Sequence, residues 1–340
     1  MNIHSLHRNA LRISLVVPMH NEALVVTPFL DRVVPIVHGV SEDYEIVCVN
    51  DGSSDRTLAL LEAAHAANPK VKIVDLSRNF GKEAALTAGI DHASGDVVVP
   101  LDADLQDPPE LIPLLVAKWR EGNDVVLAVR NDRSSDSVGK RTFAALFYRL
   151  IGRLSDVPIP ANAGDFRLMD RRVVEALKLM PERTRFMKGI FAWLGFRQTT
   201  VAYTRPERVA GTSKWRFWKL WNFALDGIFS FTTLPLRIWT YVGLGVAALS
   251  LSYMLFVVLR TVIHGVDVPG YASLVVMLLF FSGMNMIGLG IMGEYLGRVF
   301  VEVKRRPVYL VSEAIGFAPS RRGEPAQVHH LAPEIAQAGS

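Results

Sequence analysis

At 340 residues the chain has room for one large domain or two smaller ones, and half of it is hydrophobic, with a mean hydropathy of +0.24 that is high for a purely soluble protein. A net charge of +4 is too mild to designate a nucleic-acid partner, and a single cysteine excludes a disulfide framework within the chain. That cysteine, Cys48, lies in the apolar run EIVCVN and reads as a reduced core residue, while the nine histidines show no metal-ligand spacing. The N-terminus does not read as a signal peptide, because the apolar run Ile13–Val17 is short and no small-residue cleavage site comes after it.

Residues 13–130 alternate regularly. Short continuous apolar runs at 13–18, 45–51, 71–76, 96–102 and 124–130 predict strands, and amphipathic stretches around 24–36, 56–67, 82–93 and 109–122 predict helices between them. Apolar strands separated by helices imply a parallel sheet covered on both faces, with ligands at the C-terminal strand ends. The first four strands deliver PMHNE, NDGSSD, SRNFGK and DADLQD there, a concentration of polar groups that argues for a site.

The second half differs. Residues 238–259 and 268–293 are uncharged, 22 and 26 positions respectively, each long enough to span a bilayer as a helix. Trp239, Tyr241 and Tyr271 stand near their ends, as interface aromatics do. The loop 261–270 has no Lys or Arg, whereas Arg237 precedes the first run and Arg298, Lys304, Arg305 and Arg306 come after the second. The positive-inside rule then puts both ends in the cytoplasm, with Arg260 as a mild exception. Ahead of the first run, residues 213–231 mix Lys214, Arg216 and Lys219 with Trp215, Trp218 and Trp221, which suits a membrane-surface helix; a soluble helix docked on the domain is the alternative. The expected organisation is therefore a catalytic domain over 1–212, surface helices over 213–236, a transmembrane hairpin over 237–300 and a cytoplasmic tail over 301–340, disordered from about 314.

Three carboxylates within six positions, Asp102, Asp104 and Asp107, repel one another unless a cation compensates. Mg²⁺ typically binds one or two carboxylates plus substrate phosphates, so Asp102 and Asp104, projecting on the same side of an extended segment, are the expected metal pair beside a diphosphate. Asp51 at the end of the second strand can accept hydrogen bonds from a base or ribose, with Ser53, Ser54 or Asp55 capping the next helix. Arg78 and Lys82 at a helix start oppose its dipole and so point to an anion. The segment is not a P-loop, and the formal GLGIMG at 288–293 lies inside the second apolar run and reads as helix packing. A second cluster is basic: Arg183, Arg185 and Lys188, then Arg205, Arg208 and Lys214 with Gly211 and Ser213 between them. Its place beside a Trp-rich surface helix favours a lipid-borne phosphate over nucleic acid.

The motifs VVPMHNE, VNDGSSDRT, LSRNFGKEAALTAG, DADLQDPPE, GDFRLMD and RVAGTSKW, spread over about residues 10–310, resemble the polyprenyl-phosphate glycosyltransferases of glycosyltransferase family 2. The nearest likeness is to the bactoprenol glucosyltransferases; dolichol-phosphate mannose synthase is more distant. The resemblance implies a GT-A fold, Rossmann-like with a mostly parallel sheet, a nucleotide-sugar donor, Mg²⁺ or Mn²⁺, and inverting transfer to a polyprenyl phosphate at the bacterial cytoplasmic membrane. It implies nucleotide binding by Pro18, Asn21, Glu22 and Asp51 and a donor-site role for Lys82. Asp102 and Asp104 match the metal pair, with Gln106 beside them. Asp104 and Asp165 are the implied catalytic residues, Asp165 near the acceptor. Arg205, Arg208, Ser213 and Lys214 match the acceptor-phosphate segment. His20 stands where relatives often carry tyrosine, and the processive signature Q-x-x-R-W is absent. UDP-glucose is the expected donor, with mannose and formamido-arabinose donors as alternatives and a non-catalytic lipid-phosphate carrier as the rival from another class. Two spans per chain make a poor bundle, so a homo-oligomer is expected.

Overall fold

The computed structural model describes residues 11–130, 163–180, 182, 190–191, 193–204, 234–264 and 270–317. The first half follows the alternation closely: β1 (Ile13–Met19), α1 (Val26–Val40), β2 (Tyr44–Asn50), α2 (Thr57–Ala67), β3 (Val71–Leu76), α3 (Lys82–His92), β4 (Val97–Pro100), α4 (Ile112–Arg120) and β5 (Val125–Arg130). Then come β6 (Ala163–Asp170), α5 (Arg171–Lys178), β7 (Gln198–Tyr203), two long helices α6 (Leu234–His264) and α7 (Tyr271–Val303), and a last strand β8 (Val311–Ile315).

The eight strands form one sheet in the order β7-β5-β6-β4-β1-β2-β3-β8. β1, β2, β3 and β4 run parallel, β6 is antiparallel to both β4 and β5, and β8 is antiparallel to β3. Side chains alternate between two cores because successive residues of a strand face opposite ways. Leu15 and Val17 pack with Phe29, Leu61, Ile112 and Leu115 on one face, and Val16, Val49 and Val98 pack with Leu86, Ile90 and Val174 on the other. α1 buries Phe29, Val33 and Val37, one stripe at four-residue spacing. α5 starts where the Asp170 side chain accepts the Arg172 N–H at 3.0 Å.

The chain order reverses at β1, which lies between β2 and β4, so a crevice opens above β1 and β4. Proline chemistry contributes to that opening. The Val16 carbonyl accepts the Leu101 N–H at 2.9 Å, and two residues on Pro18 has no N–H with which to continue pairing on that side.

The tail expectation needs correction. Val311–Ile315 is an edge strand of the same sheet, pairing Ile315 with Ile73 and Val311 with Leu76. Short, edge-forming segments of mixed polarity such as VSEAI carry too little periodicity to be read without their partner.

The helices α6 and α7, of 31 and 33 residues, hold the two uncharged runs. They cross where a Cβ on Gly288 would lie 1.9 Å from Trp239 Nε1, so GLGIMG is a helix-packing surface, as its setting indicated. Leu249, Val262, Ile263 and Leu296 point outward and are mostly exposed. Among the described residues, a set that leaves out several side chains within both helices, no helix is long and apolar enough to cross a membrane. The two-span hairpin is thus not confirmed by the fold.

Candidate active site

Four strand ends and the start of α3 converge above the crevice. Lys82, first residue of α3, reaches its ammonium to the Asp102 carboxylate at 2.8 Å and to Asp165 Oδ2 at 2.8 Å. Burial alone would lower the Lys82 pKa, but the two carboxylates outweigh it and hold the group above the ordinary lysine range, fully charged. Burial and the nearby Asp165 carboxylate raise the Asp102 pKa overall, although the Lys82 ammonium at 2.8 Å pulls against them. Asp165 comes from β6, whose antiparallel course next to β4 brings GDFRL beside DADLQD.

The three acidic residues of DADLQD have three different surroundings. Asp102 pairs with Lys82. Asp104 Oδ1 accepts the Gln106 N–H at 3.1 Å, a turn made possible by Leu105 at φ +54°, a left-handed conformation that is costly for a non-glycine residue, by about 1–3 kcal/mol. Asp107 is buried and accepts the Tyr203 hydroxyl, whose pKa burial and Asp107 together push up to about 12. Tyr203 ends β7, so the chain enters the basic segment from a point fastened to the acidic loop. Gln106 is buried, and its Oε1 has no hydrogen-bond partner. An orphaned acceptor next to two carboxylates fits a hydrated cation or a sugar hydroxyl. Among the described residues no group of three or more His, Cys, Asp or Glu is arranged to hold a metal; a two-carboxylate site completed by substrate phosphate needs no such group.

The loops after β1 and β2 are zipped together by hydrogen bonds. Asn21, at φ +54°, accepts the Ser54 N–H at 2.8 Å and donates its own N–H to Ser53 Oγ at 3.0 Å. The N–H of Glu22 reaches Thr57 Oγ1 at 2.9 Å, and that of Ala23 reaches Asp55 Oδ2 at 3.1 Å. Asp55 also accepts the Thr57 N–H at 3.0 Å at the start of α2, the capping role its position suggested. His20 Nδ1 lies 2.8 Å from the Asp51 carbonyl, which can only accept, so the ring proton sits on Nδ1. Asp51 is buried, and its carboxylate accepts the N–H groups of Phe80 and Gly81 at 2.7 and 3.0 Å. Asn21 and Asp51 thus hold these loops in shape, a structural share that motif position alone does not convey.

Of the expected site residues, Pro18, Asn21, Glu22, Asp51, Lys82, Asp102, Asp104, Gln106 and Asp165 all belong to this one edge of the sheet. Arg205, Arg208, Ser213 and Lys214 lie outside the described residues, as do Arg183, Arg185 and Lys188. Sequence reasoning missed Arg167. It shares a strand face with Asp165, is buried, stacks on the Phe191 ring at 4.0 Å and donates to the Gly164 carbonyl at 2.7 Å. Burial lowers its pKa to about 10 against the opposing pull of Asp165 and Glu83. The available signal was a cation two residues from Asp165 in a strand with few polar residues.

The model of the family described as glycosyl transferase family 2 matches residues 14–178. A bactoprenol glucosyl transferase from Shigella phage SfII is 50% identical over 315 residues, 93% of this chain and 100% of that protein. The chain belongs to glycosyltransferase family 2. Other family 2 relatives include an uncharacterized glycosyltransferase of Synechocystis, 56% identical over 306 residues (90% of this chain, 96% of that one), and a prophage bactoprenol glucosyl transferase homolog of Escherichia coli, 50% identical over 301 residues (88% and 98%). Among solved structures, the glucosyl-3-phosphoglycerate synthase of Mycobacterium tuberculosis in complex with Mn²⁺, UDP-glucose and glycerol 3-phosphate is 22% identical, with a TM-score of 0.46, covering 67% of this chain and 82% of that one. At that level it is a distant resemblance and no more. The family 2 assignment agrees with the GT-A-like sheet, mostly parallel with one antiparallel strand inserted beside β4.

Proposed function

We propose that this family 2 enzyme transfers glucose from UDP-glucose to polyprenyl (undecaprenyl) phosphate at the cytoplasmic face of the bacterial membrane, with inversion at the anomeric carbon. The observation that carries this reading is the 50% identity to a bactoprenol glucosyl transferase over its whole length. The polar edge built around Lys82, Asp102 and Asp165 is consistent with it.

The acceptor phosphate has a second pKa of about 6 and is mostly dianionic at neutral pH. One of its oxygens forms the bond to the anomeric carbon as the bond to the donor diphosphate breaks, so a single displacement inverts that carbon and no proton must leave the nucleophile. Asp165, already holding the Lys82 ammonium, acts here as a positioning group. Lys82 keeps a fixed positive charge between the donor and acceptor sides. Asp51, Asn21, Glu22 and Pro18 form the nucleotide pocket. Mg²⁺ or Mn²⁺ would be held by Asp102 and Asp104 with Gln106 alongside, and when bound would neutralise the leaving diphosphate. Arg205, Arg208, Ser213 and Lys214 would hold the lipid phosphate near the membrane surface.

The domain organisation enters the same proposal. The catalytic domain covers 1–212 and is completed by β8, surface helices cover 213–236, and α6 and α7 cross the membrane as a hairpin within 237–300. The uncharged runs and the outward-facing Leu249, Val262 and Leu296 support the hairpin. A homo-oligomer would cover part of that apolar surface.

A donor panel settles the sugar. The purified full chain, incubated with undecaprenyl phosphate and Mg²⁺ or Mn²⁺, is expected to release UDP from UDP-glucose and to form a glucosylated lipid. Preferential turnover of a mannose or formamido-arabinose donor would overturn the glucose assignment. No lipid product from any donor would overturn the activity itself.

A further inference from the structure

After α7 the chain does not leave the protein. Residues 307–317 run back along β3 and end beside α3. The Tyr309 hydroxyl donates to Asp91 Oδ2 at 2.7 Å, on the last turn of α3. The Leu310 carbonyl accepts the Ser77 N–H at 3.0 Å, and Val311–Ile315 then pairs with Leu76–Ile73. Phe317 meets the His92 ring edge-on at 5.3 Å and lies under the Lys72 ammonium at 5.0 Å.

Ser77 opens the loop between β3 and α3, residues 77–81, which adjoins Asp51 of the proposed nucleotide site. Asp51 holds the far end of this loop through the N–H groups of Phe80 and Gly81. Gly52, at φ +58°, allows its middle to approach: a Cβ there would lie 2.4 Å from both the Arg78 carbonyl carbon and the Asn79 nitrogen. Phe80, Tyr309 and Phe317 pack against the same apolar cluster. The loop is therefore fixed at its start by the returning chain, in its middle by Gly52 and at its end by Asp51. Lys82 comes next in the chain.

We propose that residues 307–317 are a positioning strut for the donor loop, holding Ser77–Gly81, and through them Lys82, in the geometry that binds a nucleoside-diphosphate sugar. Because the strut follows α7 in the chain, it also ties the donor loop to the C-terminal end of that helix. The rival role is simple cover for the exposed edge of β3, which would protect against strand pairing between molecules without affecting donor binding. The strut proposal rests on the glucosyl-transfer reading only for the identity of the donor.

Two variants test it: the chain ending at Arg306, and the full-length Tyr309→Phe/Phe317→Ala double variant, which keeps the strand and decides the matter if the shortened chain does not fold. Both are compared with wild type by UDP titration, by donor and acceptor kinetics with UDP-glucose and undecaprenyl phosphate, and by amide exchange at Phe80 and Gly81. A strut predicts a UDP-glucose KM and a UDP Kd raised about tenfold in the shortened chain and about threefold in the double variant, with kcat and the acceptor KM within about twofold. It also predicts faster exchange at Phe80 and Gly81. Unchanged donor binding and exchange, with only a lower Tm or more aggregation, would reduce the segment to edge cover. A loss confined to kcat would overturn the strut as well. If wild type binds UDP yet moves no glucose, the glucosyl-transfer reading fails alone, and UDP affinity with amide exchange still decides the strut.

Discussion

The Lys82 ammonium hydrogen-bonds Asp165 Oδ2 at 2.8 Å across 83 positions of sequence. The same nitrogen contacts Asp102, so one cation joins the acidic loop after β4 to the β6 carboxylate. Lys82→Met leaves Asp102 and Asp165 facing each other without the cation they share. Transfer is expected to fall about 10²-fold or more, in keeping with the loss of one preorganised charge. Lys82→Arg keeps the charge but not the compact head and should recover only part of the rate. Single-turnover glucosyl transfer measures both; a Lys82→Met rate near wild type would remove Lys82 from the machinery.

Asp104→Asn separates charge from shape. Asparagine can still accept the Gln106 N–H at the same oxygen position, so the turn at Leu105 should survive. Transfer is nevertheless expected to drop by at least about 10²-fold even in saturating Mg²⁺ or Mn²⁺, because the charge facing the diphosphate is gone. Asp165→Asn should cost less, since an ionised phosphate needs no base. Rates are measured from pH 6 to 8. A wild-type rate that climbs tenfold per unit well above pH 6, with the climb lost in Asp165→Asn, would instead make Asp165 an obligate base.

At the opposite end of the sheet Glu45 is buried and accepts from Lys72 at 2.7 Å, Ser14 at 2.5 Å and the Ser94 N–H at 2.6 Å. Burial pushes its pKa up, but these hydrogen bonds outweigh it and hold the carboxyl at about 2, against an ordinary value of 4.5. A depressed folded-state pKa contributes stability that is complete above pH 4.5 and is lost as pH falls toward 2. The size is about 3 kcal/mol by linkage. Glu45→Gln should be destabilised at pH 7 and lose little more on acidification. Denaturant titration of both proteins from pH 7 to 3 checks this; parallel curves would contradict it.

Arg208→Ala addresses the basic segment. If RVAGTSKW holds the lipid phosphate, the apparent KM for undecaprenyl phosphate should rise about tenfold or more while UDP binding changes little. Weakened UDP binding with unchanged acceptor kinetics would move Arg208 to the donor diphosphate.

The hairpin makes a topological statement. A reporter fused after Phe317 is expected in the cytoplasm, and a tag placed within 265–269 should be accessible from outside the membrane. A C-terminus reporting outside would exclude two spans.

The sequence by itself determined the parallel core and the location of its chemistry. The interiors of runs such as EIVCVN and DVVVP are apolar because both faces of those strands are covered, and the polar clusters fall where the strands end. That logic is local, so β1 to β5 and α1 to α4 were legible within a few residues. Tertiary structure alone decided which distant groups meet. Nothing near Lys82 in the chain indicates that it touches Asp165, because that contact depends on β6 running antiparallel beside β4. The same holds for Asp107, one of three clustered carboxylates in the sequence, whose partner Tyr203 comes from β7. It holds for Glu45 too, a charge within an apolar run whose partners Lys72, Ser14 and Ser94 come from three other segments. β8 is the clearest case. Five residues of mixed polarity form a strand only because β3 offers an unpaired row of backbone N–H and C=O groups, and that row exists only once the sheet has formed.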